Sequence, residues 1–219
     1  MLFFTHLQLA KILNHQDFNK IQSEYWVGAV LPDIRYVSAI PRSVTHAPFE
    51  NIKDLAAERE IYKGYLAHLL IDRYTVESGF YKRIRAKAPR RLRWVFSGML
   101  INVLLEIKYL SKYEMSADKY RISAQYDSKL INFGIDEEAF NGFVGIIKKL
   151  VANPELESVL NIIKRNPNLS NNLKVRRYFG LATFFLKRRW LVEYLLKVIN
   201  PEVDLFEKGL NNIVIEISK

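Results

Sequence analysis

His68 and Asp72 stand four residues apart in the stretch Gly64-Tyr65-Leu66-Ala67-His68-Leu69-Leu70-Ile71-Asp72. On a helix that spacing stacks one side chain above the other, with Cβ atoms roughly 5–6 Å apart, so an imidazole and a carboxylate reach one divalent ion at about 2.0–2.2 Å. Leu66, Leu69, Leu70 and Ile71 flank the pair and turn it toward the core or its edge, where a carboxylate needs a partner of opposite charge. Gly64 lies on the same stripe. A glycine inside a helix costs roughly 1 kcal/mol relative to alanine, a cost accepted where something must approach the backbone closely. Taken alone, such a pair is more often satisfied by a mutual hydrogen bond or by a neighbouring backbone group.

Three further residues shift the balance toward a metal. His6 lies on the apolar stripe of Leu2, Leu9 and Leu13 and is expected to face inward; Asp33 follows Gly28-Ala29-Val30-Leu31-Pro32; His46 sits in a proline-rich segment. His15 serves as a control: nine residues after His6, it falls on the opposite face of the same helix, so both cannot point at one site. Near a helix C-terminus it has a structural reason of its own, since the dipole favours its cationic form. The chain has no cysteine, which excludes disulfides, thiolate zinc sites and iron–sulfur clusters and leaves nitrogen and oxygen as the only ligands.

The elements that must position these residues are helices, because apolar residues recur at intervals of three and four almost throughout and alternating strand patterns are scarce. The pattern predicts an all-α single domain over residues 1–219, with the ligands concentrated in 1–75. Helices are expected over Leu2 to Leu13, Phe18 to Val30, Asp54 to Ser78, Pro89 to Ser111, Asp136 to Val151, Pro154 to Lys164, Asn172 to Ile199 and Pro201 to Ile217. Pro89, Pro154 and Pro201 suit first helical turns, and Asp136 followed by Glu137 and Glu138 reads as a cap. Leu31 to Phe49, with prolines at 32, 41 and 48, is expected to be a long ordered loop, and such loops are usually functional.

In order, Thr5-His6-Leu7, Gly28-Ala29-Val30-Leu31-Pro32-Asp33-Ile34, Thr45-His46 and the Gly64 to Asp72 stretch resemble the zinc-dependent phospholipase C family over the first seventy-odd residues. The resemblance implies a multi-helix, phospholipase C-like orthogonal bundle and a metal-dependent hydrolase acting on ester bonds of an anionic phosphoester. It implies one ion held by Asp33, His46, His68 and Asp72, a neighbouring one held in part by His6 and bridged through Asp72, and Asp33 beside the attacking water as general base. The family's third zinc needs a later histidine and an HxxxE pair. No histidine follows His68, and Asn102 with Glu106 keeps the spacing but supplies one good ligand, so one or two ions are expected. Zinc fits the imidazole and carboxylate set, as do iron and manganese.

The formal charge of +10 favours anionic partners: phosphate esters, a lipid surface or nucleic acid. Lys82 to Arg93 carries seven cations in twelve residues. If Pro89 opens a helix, Arg90, Arg91 and Arg93 oppose its dipole and call for an anion, as a phosphate clamp would supply; a charge run is more often a solvated face. Arg176, Arg177, Lys187, Arg188 and Arg189 form a second basic set beside Tyr178, Phe179, Phe184, Phe185 and Trp190, aromatics whose helical spacing reads as core. The N-terminal residues show no basic leader and no later stretch reaches the length of a membrane span, so a cytoplasmic protein is expected. Two alternatives stand beside the phosphoesterase. One is a non-catalytic basic helical module that binds an anionic membrane surface or nucleic acid. The other is an HD-type phosphohydrolase, whose adjacent His-Asp pair the chain lacks.

Overall fold

The computed structural model describes residues 3–14, 21–38, 40–46, 50–93, 96–114, 120–155, 157, 161, 164–165 and 173–217, and among these every regular element is a helix. In chain order they are α1 (Phe3–Asn14), α2 (Ser23–Val30), a 3-10 turn (Leu31–Ile34), α3 (Arg35–Ser38), α4 (Arg42–Thr45), α5 (Glu50–Glu58), α6 (Glu60–Glu77) and α7 (Phe80–Lys87). A 3-10 turn (Arg90–Leu92), α8 (Gly98–Glu114), a 3-10 turn (Ser128–Phe133), α9 (Glu137–Ala152), α10 (Leu173–Leu186) and α11 (Arg189–Ile217) follow. No described helix is long and apolar enough to cross a membrane.

α1 is apolar nearly all round. Phe4, Thr5, His6, Leu7, Leu9, Ala10 and Leu13 are buried, because α2, α6, α8 and α11 pack around it. Its N-terminus is held by a carboxylate from α8: Glu106 accepts from the backbone of Phe4 (2.9 Å) and Thr5 (3.0 Å) and from the Thr5 hydroxyl (2.9 Å). Two orphan helix N–H groups and a buried hydroxyl are thereby satisfied in the core, and the negative charge sits at the positive end of the helix dipole. Burial pushes the Glu106 carboxyl up from its ordinary range, and these hydrogen bonds offset part of the push.

α2 and α6 share the most extensive helix contact, and glycines make it. A Cβ on Gly28 would lie 1.9 Å from the Ile61 carbonyl oxygen, and one on Gly64 would lie 2.0 Å from that of Tyr25. Each glycine presses on the other helix's backbone, as the position of Gly64 in a helix interior led one to expect.

Several boundaries differ from expectation. Leu31 to Phe49, expected as a long ordered loop, is largely helical within its described residues: it folds into the Leu31–Ile34 turn, α3 and α4, because Pro32 and Pro41 sit at helix starts, where a missing N–H costs nothing. Asp54 to Ser78 is two helices. Arg59 between them is extended (φ −143°, ψ 145°) and bridges Glu24 (2.6 Å) and Asp127 (2.9 Å), a tertiary reason without local sequence signal. The helix expected from Pro89 starts at Gly98, where the Ser97 hydroxyl caps the Leu100 N–H at 3.2 Å. Pro201 lies inside α11 instead of opening a helix, because Val192, Leu195, Ile199, Val203, Phe206 and Leu210 form one buried stripe that runs through it. The Asp136 cap is as expected, accepting from the Ala139 N–H at 2.8 Å. α2 starts at Ser23: Ile21 and Gln22, inside the helix expected from Phe18, are not helical, while residues 18–20, like His15 and most of Pro154 to Lys164, lie outside the described residues.

Gly64→Ala is expected to destabilise the fold by about 3 kcal/mol or more, since the clash is with backbone and not with a side chain that can rotate away. Gly145→Ala, on α9 with nothing near its Cβ position, is expected to be neutral or to stabilise by about 0.5–1 kcal/mol. Urea unfolding of the two variants checks both signs.

Candidate metal centre

The α2–α6 crossing brings the Ala29 carbonyl within 2.9 Å of His68 Nδ1. A carbonyl only accepts, so Nδ1 carries the proton and Nε2 is left with a bare lone pair, the form in which imidazole binds a metal. Burial, with the adjacent His6 ring, pushes His68 well below the ordinary histidine value, so it is neutral. The His6 ring from α1 stacks on it with centroids 3.8 Å apart, and the His46 ring stands edge-on at 5.4 Å.

His46 ends α4. Its Nδ1 lies 3.0 Å from the Thr45 hydroxyl, and the Thr45 carbonyl accepts from the Tyr65 hydroxyl on α6, which pins the end of α4 against that helix. His46 Nε2 thereby faces Asp72 Oδ2 at 3.4 Å. The other Asp72 oxygen faces His6 Nε2 at 3.4 Å, and His6 Nδ1 faces Asp33 Oδ2 at 3.5 Å. Burial opposes the charge of Asp72, but the approach of His46 and His6 and the field of the imidazoles outweigh it, and its carboxyl stays far below the usual range.

The five residues singled out from the sequence, His6, Asp33, His46, His68 and Asp72, therefore meet. His6, Asp33 and His68 bring ligand atoms within 4.8 Å of one another, and so do His46, His68 and Asp72. This grouping differs from the one the family resemblance implies, since Asp33 falls with His6 and not with His46. Both groups draw on His68, whose only available nitrogen is Nε2, so they are parts of one centre.

Two observations test whether a cation fits. Nδ1 of His6, Nε2 of His46 and Nε2 of His68 are all buried with no hydrogen-bond partner. A buried polar atom left so costs about 1–3 kcal/mol, and a cation held by either group would draw on two of the three rings. The spacing agrees as well: the 3.5 Å from His6 Nδ1 to Asp33 and the 3.4 Å from His46 Nε2 to Asp72 are long for hydrogen bonds, but two ligands bound tetrahedrally at about 2.1 Å from one ion stand about 3.4 Å apart. The donor set fits a divalent ion.

The rim of the centre contains residues not singled out from the sequence. Arg42 Nη2 lies 2.6 Å from Asp72 Oδ2, and Arg35 Nε lies 3.7 Å from Asp33 Oδ1. Tyr81, pushed up to about 12 by burial and by the charge of Asp72, donates to Asn102 Oδ1 at 2.6 Å. Asn102 and Glu106 are thus engaged with Tyr81 and the α1 N-terminus. The only hint of Arg35 and Arg42 in the sequence is that two cations lie between Asp33 and His46. Arg90, Arg91 and Arg93 have no helix N-terminus to serve. Arg93 instead donates to the carbonyls of Ala86 (2.9 Å) and Ala88 (3.2 Å) at the C-terminal end of α7, where the helix dipole favours a cation. Comparison with protein-family models, with curated proteins and with solved structures finds no match for the chain.

The pH dependence of the metal-free fold follows from His68. Its folded pKa is depressed, so near pH 6.5 the unfolded chain binds a proton that the folded chain refuses, and stability falls as pH falls. Stability is therefore expected to be lower at pH 5.5 than at pH 7.5, with this residue contributing on the order of 1 kcal/mol to the loss. Urea unfolding of the chelator-treated protein at the two pH values, with His68→Gln as the variant lacking that loss, checks it.

Proposed function

We propose that this protein is a metal-dependent phosphoesterase of the phospholipase C-like class, an all-helical hydrolase that uses an ion-activated water on an anionic phosphate ester. The observation that carries the reading is the convergence of three unpartnered imidazole nitrogens and two carboxylates from four separate elements. Zinc suits the ligand set best, with iron and manganese as chemically acceptable occupants. When bound, such an ion lowers the pKa of a water from 15.7 to about 7 and polarises a phosphoryl oxygen.

The chain's own residues do the rest. Ala29 O fixes the His68 tautomer and ring orientation, and Thr45 with Tyr65 fixes His46. The side chains of His6 and His68 are fully buried, whereas Asp33 and Asp72 retain 15% and 17% exposure, so the centre opens on its carboxylate side. Asp33, with Oδ2 toward His6 and Oδ1 toward the rim, is the group proposed to take the proton of the attacking water. The protein as purified is expected to contain about one equivalent of metal and to turn over a generic phosphoester, and His68→Ala to lose metal affinity by more than about 100-fold and turnover with it. Elemental analysis with a screen of phosphomonoesters and phosphodiesters decides the matter: no metal, together with unchanged activity in the variant, removes the reading.

A second reading, contact with an anionic membrane surface, is favoured by the corner between α10 and α11. Phe185 is buried as expected of core, but Phe184 is 43% and Trp190 is 70% exposed, contrary to a core role; the side chains of Tyr178 and Phe179 lie outside those described. Lys187, Arg188 and Arg189 are exposed between these rings, with the Arg188 guanidinium 4.0 Å above Phe184. Aromatic and basic side chains side by side suit the headgroup region. Trp190 fluorescence, taken as the difference from a Trp190→Phe variant, is expected to shift to the blue with phosphatidylglycerol vesicles and not with phosphatidylcholine vesicles, and to revert at high salt. An unchanged spectrum, or binding to duplex DNA in its place, counts against it.

A further inference from the structure

Arg42 competes for the oxygen an ion would use. Its Nη2 is 2.6 Å from Asp72 Oδ2, and that same oxygen faces the unpartnered His46 Nε2 at 3.4 Å. A guanidinium and a divalent cation repel each other across a shared oxygen, so when one arrives the other is driven off. The Arg42 side chain is 52% exposed, so it can swing away without giving up buried surface. Arg35 is its opposite. At 15% exposure it is held over the Tyr36 ring at 4.0 Å and donates to the Tyr36 hydroxyl, while its Nε is buried with no hydrogen-bond partner and stands 3.7 Å from Asp33 Oδ1. The rim therefore holds one mobile cation and one fixed, desolvated cation with an unused donor.

The charges indicate what they wait for. Asp33 and Asp72 cancel Arg35 and Arg42, so a bound divalent ion leaves two positive charges in excess at the open side. A carboxylic ester or an amide brings none to balance them, a phosphodiester brings one negative charge, and a phosphomonoester dianion brings both. Guanidinium is the side-chain group whose fork matches phosphate oxygens.

We propose that Arg42 and Arg35 form an anion subsite on the rim of the metal centre that takes the dianionic phosphate of a monoester, Arg42 reaching it by exchanging Asp72 for the substrate once the ion is bound. The inference rests on the metal-centre reading above and specifies its substrate class and the residues that select it. It gives Arg42 two effects of opposite sign, against the ion and for the anion.

The test uses the full chain loaded with zinc or manganese. Ion affinity is measured by competition with a chromophoric chelator, and affinity for inorganic phosphate by calorimetry on the loaded protein, for the unaltered chain, Arg42→Met and Arg42→Lys. Arg42→Met is expected to bind the ion several-fold more tightly and phosphate at least tenfold more weakly, with Arg42→Lys in between. A residue that merely braced the fold would weaken both. Methyl phosphate is expected to bind at least tenfold more tightly than dimethyl phosphate to the unaltered protein. Glycerol phosphate against a short-chain phosphatidic acid then separates a soluble source of the dianion from a lipid one, and a tenfold loss of either in Arg42→Met supports the proposal. Phosphate affinity that is the same in Arg42→Met, at full metal occupancy, overturns this inference while leaving the metal centre standing. A chain that takes up no ion overturns both.

Discussion

The contact on which the site depends is the crossing of α2 and α6 at backbone distance. Only glycine fits at positions 28 and 64, because any Cβ there would lie inside the van der Waals radius of a carbonyl on the facing helix. At that separation a main-chain acceptor of α2 reaches a side chain of α6, and the hydrogen bond from His68 Nδ1 to Ala29 O is the result. The same approach carries the end of α2 and the turn after it toward Asp72, which is how Asp33 comes to face the ring of His6. One steric allowance at two residues thus sets the tautomer of one candidate ligand and the location of another.

A second constraint is electrostatic. α1 is buried on nearly all sides, so its N-terminal N–H groups must find partners inside the protein, and Glu106 supplies them. The cap fixes α1 along its axis and thereby sets the depth at which the His6 ring meets His68. Elsewhere buried polar groups are likewise spent on holding elements in register. Glu202, 1% exposed on α11, pairs with Arg83 (2.8 Å) and Lys87 (2.7 Å) of α7, and Arg59 joins α2 to Asp127, the cap of the Ser128–Phe133 3-10 turn. Against that economy three bare imidazole nitrogens gathered at one place, with the unused Arg35 Nε beside them, stand out.

The positive charge of the chain is likewise put to specific uses. Arg42 and Arg35 meet carboxylates of the candidate centre, Arg93 caps the carbonyl end of α7, and the cations at the α10–α11 corner stand in solvent beside exposed rings. A run of lysines and arginines read from the chain alone does not distinguish these fates. Each depends on which helix end, carboxylate or aromatic ring the fold places alongside.

What the sequence by itself determined was what repeats locally: helical periodicity, the inward stripes of α1 and α6, the Asp136 cap, the cost signalled by a glycine at position 64, and a ligand set restricted to nitrogen and oxygen by the absence of cysteine. Those rules act over three or four residues and are written in residue type; they single out His68 and Asp72 and turn His6 inward, while the roles of Asp33 and His46 came from the resemblance of their short motifs to those of a known family. Only the tertiary structure decided that Arg59 breaks a helix, that α11 continues through Pro201, that Arg42 and Arg35 line the rim, and that Asp33 pairs with His6 rather than His46. Arg59, Arg42 and the Asp33–His6 pairing depend on partners tens of residues away, and α11 and Arg35 depend on which surfaces the fold covers; the free energy of such contacts is set by what the fold brings alongside.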